Sequence, residues 1–367
     1  MKIIFGISTT RADYGIQKQL FKSLDQKKNI KFYLIVLGTH LSKKFGYTFN
    51  EIKKDNFRNT IKIKSKFTSD APIDLTSVIS KSYKEISQIF NSIKPNSLIV
   101  LGDRFELLPI VSIANLYKIN VFHIHGGEIT DGSMDNATRN AISQLSQFHL
   151  VSNEKSKKLL IKYGKKSRDI QNTGSLAINQ ILKTVFYDKD YFKSKKIKFE
   201  KKTFLVIYHP NTISNKNEIE SKIFFKALQR HKDIFYIILI PNVDPGSLII
   251  QNEIHQFIKI HIDSVFLPSL SPREYYSLVR LSDCVIGNSS SGIIEVPSLN
   301  TLTLNVGERQ KGRAKSKSVI NCKFSLKDLN LKISLIKKIN KRNFNDKNPY
   351  FKKNSLKLAT SFIMRNT

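Results

Sequence analysis

Five of the twelve arginines in this 367-residue chain, Arg11, Arg104, Arg139, Arg309 and Arg313, sit in short motifs rich in Gly, Ser, Asp and His. Arginine presents a planar fork of donors that grips phosphate through two bonds at once, so this concentration points to a nucleoside-diphosphate ligand. The run Gly287-Asn288-Ser289-Ser290-Ser291-Gly292 adds three hydroxyls and several backbone N–H groups at a helix start, a second way of holding a diphosphate. Glu295, one turn later, is placed to accept both hydroxyls of a ribose.

A second set of residues suits proton transfer. His123-Ile124-His125-Gly126-Gly127-Glu128 is followed by Asp131, Asp135 and Arg139, with Gly102-Asp103-Arg104 before it and Tyr208-His209-Pro210 after. Carboxylates and imidazoles gathered in a closing cleft fit general acid–base work, with Asp103, His125, Glu128, Asp135, Arg139 and His209 as candidates. Asp135 and Arg139 are four residues apart, hence on one face of a helix. His123, His125 and Glu128 are also of metal-ligand type. Strand alternation, however, puts both imidazoles on one side and leaves Glu128 beyond a glycine turn, so a metal is the weaker reading. With neither a GxGxxG fingerprint nor a P-loop, no dinucleotide or Walker-type site is expected.

These motifs share a position: each follows a short apolar run. Lys2–Ile7, Lys31–Leu37, Ser97–Leu101, Val121–His125 and His149–Ser152 are predicted as buried parallel strands. Helical spacing covers Tyr14–Leu24, Ile73–Ile93, Arg104–Tyr117, Asp135–Leu145 and Glu154–Tyr163. The alternation resumes with strands at Thr203–Tyr208, Ile234–Ile240, Val265–Leu267, Asp283–Ile286 and Thr301–Asn305, and helices from Glu218, Ser247, Pro272 and Gly292. Such alternation means α/β with parallel sheets, because parallel crossovers must be helical. Tyr187–Lys202, dense in Lys, Asp and Phe without a period, reads as a linker. Two doubly wound domains then put the ligand at the carboxyl ends of the strands, in the cleft between them.

Composition bounds the rest. Hydrophobic residues at 40% and charged residues at 25% exclude a disordered, collagenous or disulfide-scaffold chain. The formal charge of +32 invites a nucleic-acid reading. Yet 49 of the 61 basic residues are Lys, spread in pairs such as Lys43-Lys44 and Lys201-Lys202 rather than striped with aromatics. A solvated Lys-rich surface that attracts small anions is the better account, and no nucleic-acid partner is expected. No apolar run reaches the roughly 18 residues needed to cross a bilayer, so no membrane partner is expected. Cys284 and Cys322, the only thiols, lack metal-like spacing and suit a reducing compartment, which predicts a soluble cytoplasmic protein.

A series of segments then carries a resemblance. It runs through Arg11-Ala12-Asp13-Tyr14-Gly15, Leu101-Gly102-Asp103-Arg104, His123 to Glu128, Asp135 with Arg139, His209-Pro210, and Asp244 with Gly246-Ser247. It continues in Ile286 to Gly292, Glu295-Val296-Pro297-Ser298, Arg309-Gln310-Lys311-Gly312-Arg313 and Asn348-Pro349-Tyr350-Phe351. In these segments, in this order, the chain resembles the hydrolysing UDP-N-acetylglucosamine 2-epimerases of bacterial sialic-acid synthesis. It departs from the animal branch, and some bacterial members, in having His125 where they have Glu; Glu128 is retained.

The resemblance implies two Rossmann-like domains of the glycosyltransferase-B type. The first would take residues 1–180 plus a C-terminal helix at about 347–367 that crosses back onto it; the second, nucleotide-binding, would take 181–346. It implies a UDP-sugar held by Arg11, Arg104, Asn288, Ser289, Ser290, Glu295 and Arg313. It further implies no nicotinamide, flavin or metal, and a homodimer or homotetramer. The implied reaction is anti elimination of UDP to a glycal, then hydration to N-acetylmannosamine. A hydrolysing epimerase of UDP-N,N'-diacetylbacillosamine, a non-hydrolysing epimerase and a glycosyltransferase of the same fold are the enzymatic alternatives. A basic nucleic-acid-binding protein is the non-enzymatic one.

Overall fold

Strand alternation divides each apolar run between two faces, and in a parallel sheet both faces need cover. The computed structural model, which describes residues 1–43, 46–64, 72–131, 134–211, 216–241, 246–267, 270–340 and 347–367, shows this division twice. The chain forms two units, one of Met1–Glu128, Asp135–Gln180 and Lys352–Thr367, the other of Ile129–Met134 and Ile181–Phe351.

The first unit is built on seven strands: β1 (Lys2–Ser8), β2 (Ile30–Val36), β3 (Thr60–Lys62), β4 (Ser97–Leu101), β5 (Asn120–Ile124), β6 (Phe148–Val151) and β7 (Ile170–Asn172). Their order is β3-β2-β1-β4-β5-β6-β7, all parallel. Its helices are α1 (Arg11–Asp25), α2 (Phe49–Lys53), α3 (Pro72–Ile93), α4 (Leu107–Leu116), α5 (Asp135–Leu145), α6 (Glu154–Lys162) and the start of α7 (Leu176–Lys183). Ile4, Leu34, Val36, Ile99 and Leu101 face one core, closed by Leu20 and Phe21 of α1 and by Phe362 and Ile363 of the C-terminal helix Ser355–Asn366. Phe5, Ile35, Leu98 and Val100 face the other, under Phe90 of α3, Ile110 of α4 and Ile142 of α5.

The second unit repeats the plan with β8 (Lys202–Ile207), β9 (Ile234–Leu239), β10 (Ser264–Leu267), β11 (Cys284–Gly287), β12 (Leu302–Val306) and β13 (Val319–Cys322). The order is β10-β9-β8-β11-β12-β13, again all parallel. Helices α8 (Lys189–Lys193), α9 (Asn217–Gln229), α10 (Ser247–Ile260), α11 (Pro272–Leu281), α12 (Ser290–Ile294) and α13 (Leu326–Lys338) accompany it. Phe204 and Val206 pack under Phe224, Ile254 and Ile333, while Leu205 and Ile207 pack under Phe192 and Tyr276. In both units the strand order reverses beside the first strand, at β1/β4 and at β8/β11. A doubly wound sheet offers its ligand site outside the carboxyl ends at that reversal.

Three expectations need correction. Tyr187–Lys202 is not a bare linker. It holds α8, capped by Asp188, and buries Phe192 and Ile197 in the second core; one turn is too short for a period to show. Helix α4 starts at Leu107 and not Arg104, because Gly102, at φ +78°, opens a turn that Arg104 and Glu106 hold shut. Strand β5 ends at Ile124, so His125 lies outside it, in the left-handed conformation at φ +63°. The expected alternation of His123 and His125 along one strand face therefore fails. Among the described residues no helix is long and apolar enough to cross a membrane.

Candidate active site

In the first unit the loop after β1 is fixed by its own polar side chains. Thr10 caps α1 by accepting the Asp13 N–H at 3.2 Å, and Thr9 Oγ1 donates to Asp13 Oδ2 at 2.5 Å. Burial pushes the Asp13 carboxyl up, against the pull of Thr9. Arg11 forks onto Glu51 of α2, with Nη2 2.8 Å from Oε1 and Nε 3.2 Å from Oε2. After β4, Arg104 forks in the same way onto the buried Glu106, at 3.1 and 3.3 Å. Each of these arginines is thus held in a fixed orientation by a carboxylate.

The segment after β5 carries the densest chemistry. Burial lowers the His123 pKa to about 4, so its ring is neutral. Nε2–H donates to the Gly102 carbonyl at 2.7 Å, and Nδ1 accepts from Ser143 Oγ at 3.0 Å. His123 is therefore a buried strut beneath the Gly102-Asp103 turn. Arg139, 1% exposed, sends Nη1 to the Glu128 carbonyl at 3.0 Å and pairs Nη2 with Asp103. Glu128 Oε1 lies 3.9 Å from His125 Nδ1 and accepts from Ser152 Oγ at 2.6 Å. Asp103, His125, Glu128 and Arg139 accordingly form one cluster. Asp135 stands one turn before Arg139, half-buried at the start of α5. Among the described residues no group of three His, Cys, Asp or Glu side chains is arranged to hold a metal ion.

In the second unit two strand-end loops are tied together. Asn288, after β11, accepts the His209 N–H at 2.7 Å and donates to the His209 carbonyl at 2.8 Å. Its own carbonyl accepts from Gln310 Nε2 at 3.0 Å and Arg309 Nη1 at 3.4 Å. Both ends of the Asn288 amide are thus engaged with protein, and the side chain acts on His209. Ser289 caps α12, and Ser291 Oγ bonds Tyr275 Oη at 2.7 Å. Glu295 follows α12, half-buried, and desolvation raises its carboxyl to about 7. Burial also lowers the pKa of Arg313. The loop Pro241 to Ser247 falls partly outside the described residues, Asp244 included.

Two groups of residues were missed by the strand-end reading. Ser152 follows β6, which ends at Val151; the sequence expectation of a strand over His149–Ser152 places it inside the strand and so hides it. Asn348 and Tyr350 brace the segments around Glu295 and Arg313: Asn348 Nδ2 donates to the Ile294 carbonyl and to Ser298 Oγ, both at 2.8 Å. Tyr350 Oη donates to the Ala314 carbonyl at 3.0 Å, next to Arg313. The aromatic Asn-Pro-Tyr-Phe signal was visible, but its target was not.

Two parallel doubly wound units, the first with forked arginines and a cluster of ionisable side chains at its strand ends, give the α/β architecture of the glycosyltransferase-B-like, two-domain class. The chain belongs to the UDP-N-acetylglucosamine 2-epimerase family, which it matches over residues 22–364. It is 35% identical to the GDP/UDP-N,N'-diacetylbacillosamine 2-epimerase (hydrolyzing) of Campylobacter jejuni, over 86% of this chain and 83% of that one. It is 34% identical to the polysialic acid biosynthesis protein P7 of Escherichia coli, over 99% of this chain and 94% of the relative. The solved UDP-GlcNAc 2-epimerase of Neisseria meningitidis, bound to UDP-GlcNAc, superposes with TM-score 0.81 at 16% identity, covering 100% of both chains.

Proposed function

We propose that the protein is a hydrolysing 2-epimerase that converts UDP-N-acetylglucosamine to free N-acetylmannosamine and UDP, for sialic-acid or related nonulosonic-acid synthesis. The observation that carries the reaction type is the cluster in which Arg139 ties Asp103 to the Glu128 backbone beside His125. The C2 hydrogen of the sugar is not next to a carbonyl, so its removal requires a good leaving group to depart in the same step. A base takes the C2 proton, the C1–O bond breaks, and UDP leaves as an anion to give a glycal. Water then adds its oxygen to C1 while a proton returns to C2 on the opposite face. Asp103, His125, Glu128, Asp135 and His209 are the proton-transferring candidates.

The nucleotide is read as the ligand of Ser289, Ser290, Glu295 and Arg313, joined by Arg11 and Arg104. Burial lowers the Arg313 pKa, and an anion set beside a desolvated guanidinium favours its charged form. Arg11 and Arg104 are already neutralised by Glu51 and Glu106. Their contribution to binding is then orientation more than net charge.

A second substrate has a specific observation behind it. The 35% identical Campylobacter relative is a GDP/UDP-N,N'-diacetylbacillosamine 2-epimerase, whose sugar is a diacetylated, dideoxy analogue. Incubating the enzyme separately with each UDP-sugar and following products by NMR decides among the readings. Free UDP with a free 2-epimeric sugar from UDP-N-acetylglucosamine supports the first. Turnover of the diacetylated sugar alone selects the second. A surviving epimerised sugar nucleotide means the reaction is not hydrolytic.

A further inference from the structure

Glu128 is 3% exposed and Ser152 fully buried, so the bond between them is shielded from water. At 2.6 Å, Ser152 Oγ to Glu128 Oε1 has the length of a hydroxyl donating to a charged carboxylate. The direction of the hydroxyl proton is set from behind. Asn153 Nδ2 donates to Ser152 Oγ at 3.0 Å, and an amide NH2 cannot accept, so the Ser152 hydrogen is turned toward Glu128. Asn153 is itself fixed as the N-cap of α6, where its Oδ1 accepts the Ser156 N–H at 2.9 Å. Beyond the carboxylate stands His125, left-handed at φ +63°, with Nδ1 3.9 Å from Oε1.

We propose that Ser152 is a positioning residue: its hydroxyl fixes the Glu128 carboxylate, and that fixed negative charge orients the His125 imidazole. The inference rests on the proton-transfer role given to this cluster above. The charged groups around the carboxylate include, among the described residues, His125, Arg139 on the Glu128 carbonyl, and Asp103 on the other arm of Arg139. A change at Ser152 leaves all of them in place. A hydrogen bond donated to a carboxylate stabilises its charged form, so losing the donor raises the pKa of that carboxyl.

The test is Ser152→Ala, read in two ways. With glutamate labelled at the carboxyl carbon, the Glu128 titration is followed by carbon-13 NMR and assigned by its absence in Glu128→Gln. It should move up by about one pH unit in Ser152→Ala. On the sugar nucleotide, the acid limb of the kcat profile should move up by about the same amount, while KM stays within about twofold. Ser152→Thr, which keeps a hydroxyl, should return both readings toward the wild type. If Ser152→Ala does not fold, Ser152→Cys, a weaker donor of similar size, is read in the same way with a smaller shift. An unmoved Glu128 titration, or a fall in kcat that is uniform at every pH, overturns the proposal. Should the wild type release no UDP from either sugar, the reaction reading fails, while the carboxyl titration still decides the role of Ser152.

Discussion

Asn288 holds both backbone polar groups of His209 with its side-chain amide, accepting the N–H at 2.7 Å and donating to the carbonyl at 2.8 Å. The two residues follow adjacent strands, β8 and β11, at the place where the strand order of the second unit reverses. One buried amide therefore sets the spacing of the two strand-end loops, and with it the place of His209 and the start of α12. Replacing Asn288 by Asp keeps the shape but not the donor. An aspartate still accepts from the His209 N–H and leaves the His209 carbonyl facing a second acceptor. Asn288→Asp should destabilise the protein by about 1–3 kcal/mol, measured by denaturant unfolding. Wild-type stability would mean the clamp is dispensable.

Asp103 is the carboxylate with the most to lose from neutralisation, because it is paired with Arg139 and follows the Gly102 turn. Asp103→Asn keeps size and reach but removes basicity. Turnover should fall by about a hundredfold or more, with UDP affinity within a few fold of the wild type. Some stability should also be lost, since Arg139 is buried and gives up a charged partner. Thermal melting separates that effect from catalysis. A folded variant with undiminished turnover would remove Asp103 from the acid–base set.

The Glu295 carboxyl gives a pH signature. Desolvation raises it from 4.5 to about 7, so the folded chain holds this proton more tightly than the unfolded chain does. Its contribution to stability is then greatest below about pH 4.5, declines as pH rises, and levels off above about pH 7. The drop should amount to about 1–3 kcal/mol and be missing in Glu295→Gln. Ribose hydroxyls that donate to Glu295 favour its charged form. UDP affinity should therefore strengthen from about pH 6 to about pH 8 by more in the wild type than in Glu295→Gln. Calorimetric titrations of the two proteins that run parallel would separate Glu295 from the ribose.

Solvent isotopes test the reaction itself. Product formed in deuterium oxide should carry deuterium at C2, because the proton removed there is replaced from solvent. Oxygen-18 water should label the anomeric oxygen of the sugar and leave the UDP phosphates unlabelled, as required by C–O cleavage. Mass spectrometry of both products reads the two labels together. Label in UDP would indicate attack at phosphorus, and no deuterium at C2 would rule out the elimination.

Much of the fold could be read because long elements repeat their signal. Strand β4 and helix α5 lie at the residues expected, Ser97–Leu101 and Asp135–Leu145: one is a run of five buried residues, the other keeps its helical period for three turns. The strands β3, β7 and β13 were not seen, being edge or near-edge strands of three or four residues with little to alternate. The candidate cluster was legible as residue types at strand ends. Its wiring was not. Arg11 meets Glu51 forty positions away, and Ser152 meets Glu128 across twenty-four, pairings decided by how the strands line up and not by local spacing. His125 shows the same limit in reverse, because a left-handed residue just past a strand end breaks the alternation that sequence reading depends on.

The C-terminal helix Ser355–Asn366 also sets an order of events during synthesis. Thr360 bonds Ser23 across 337 positions, Thr367 bonds Ser97 across 270, and Phe362 packs edge-on against Phe122 and Phe148. All seven strands of the first sheet have left the ribosome once Asn172 is clear, yet the helix that closes one face follows only after the second unit has been made. At about 5–20 residues per second, that face waits about 10–40 s with its aromatic strip uncovered. During this interval a nascent chain offers a binding surface to chaperones that the folded protein does not, and the first unit closes only after the second has been translated.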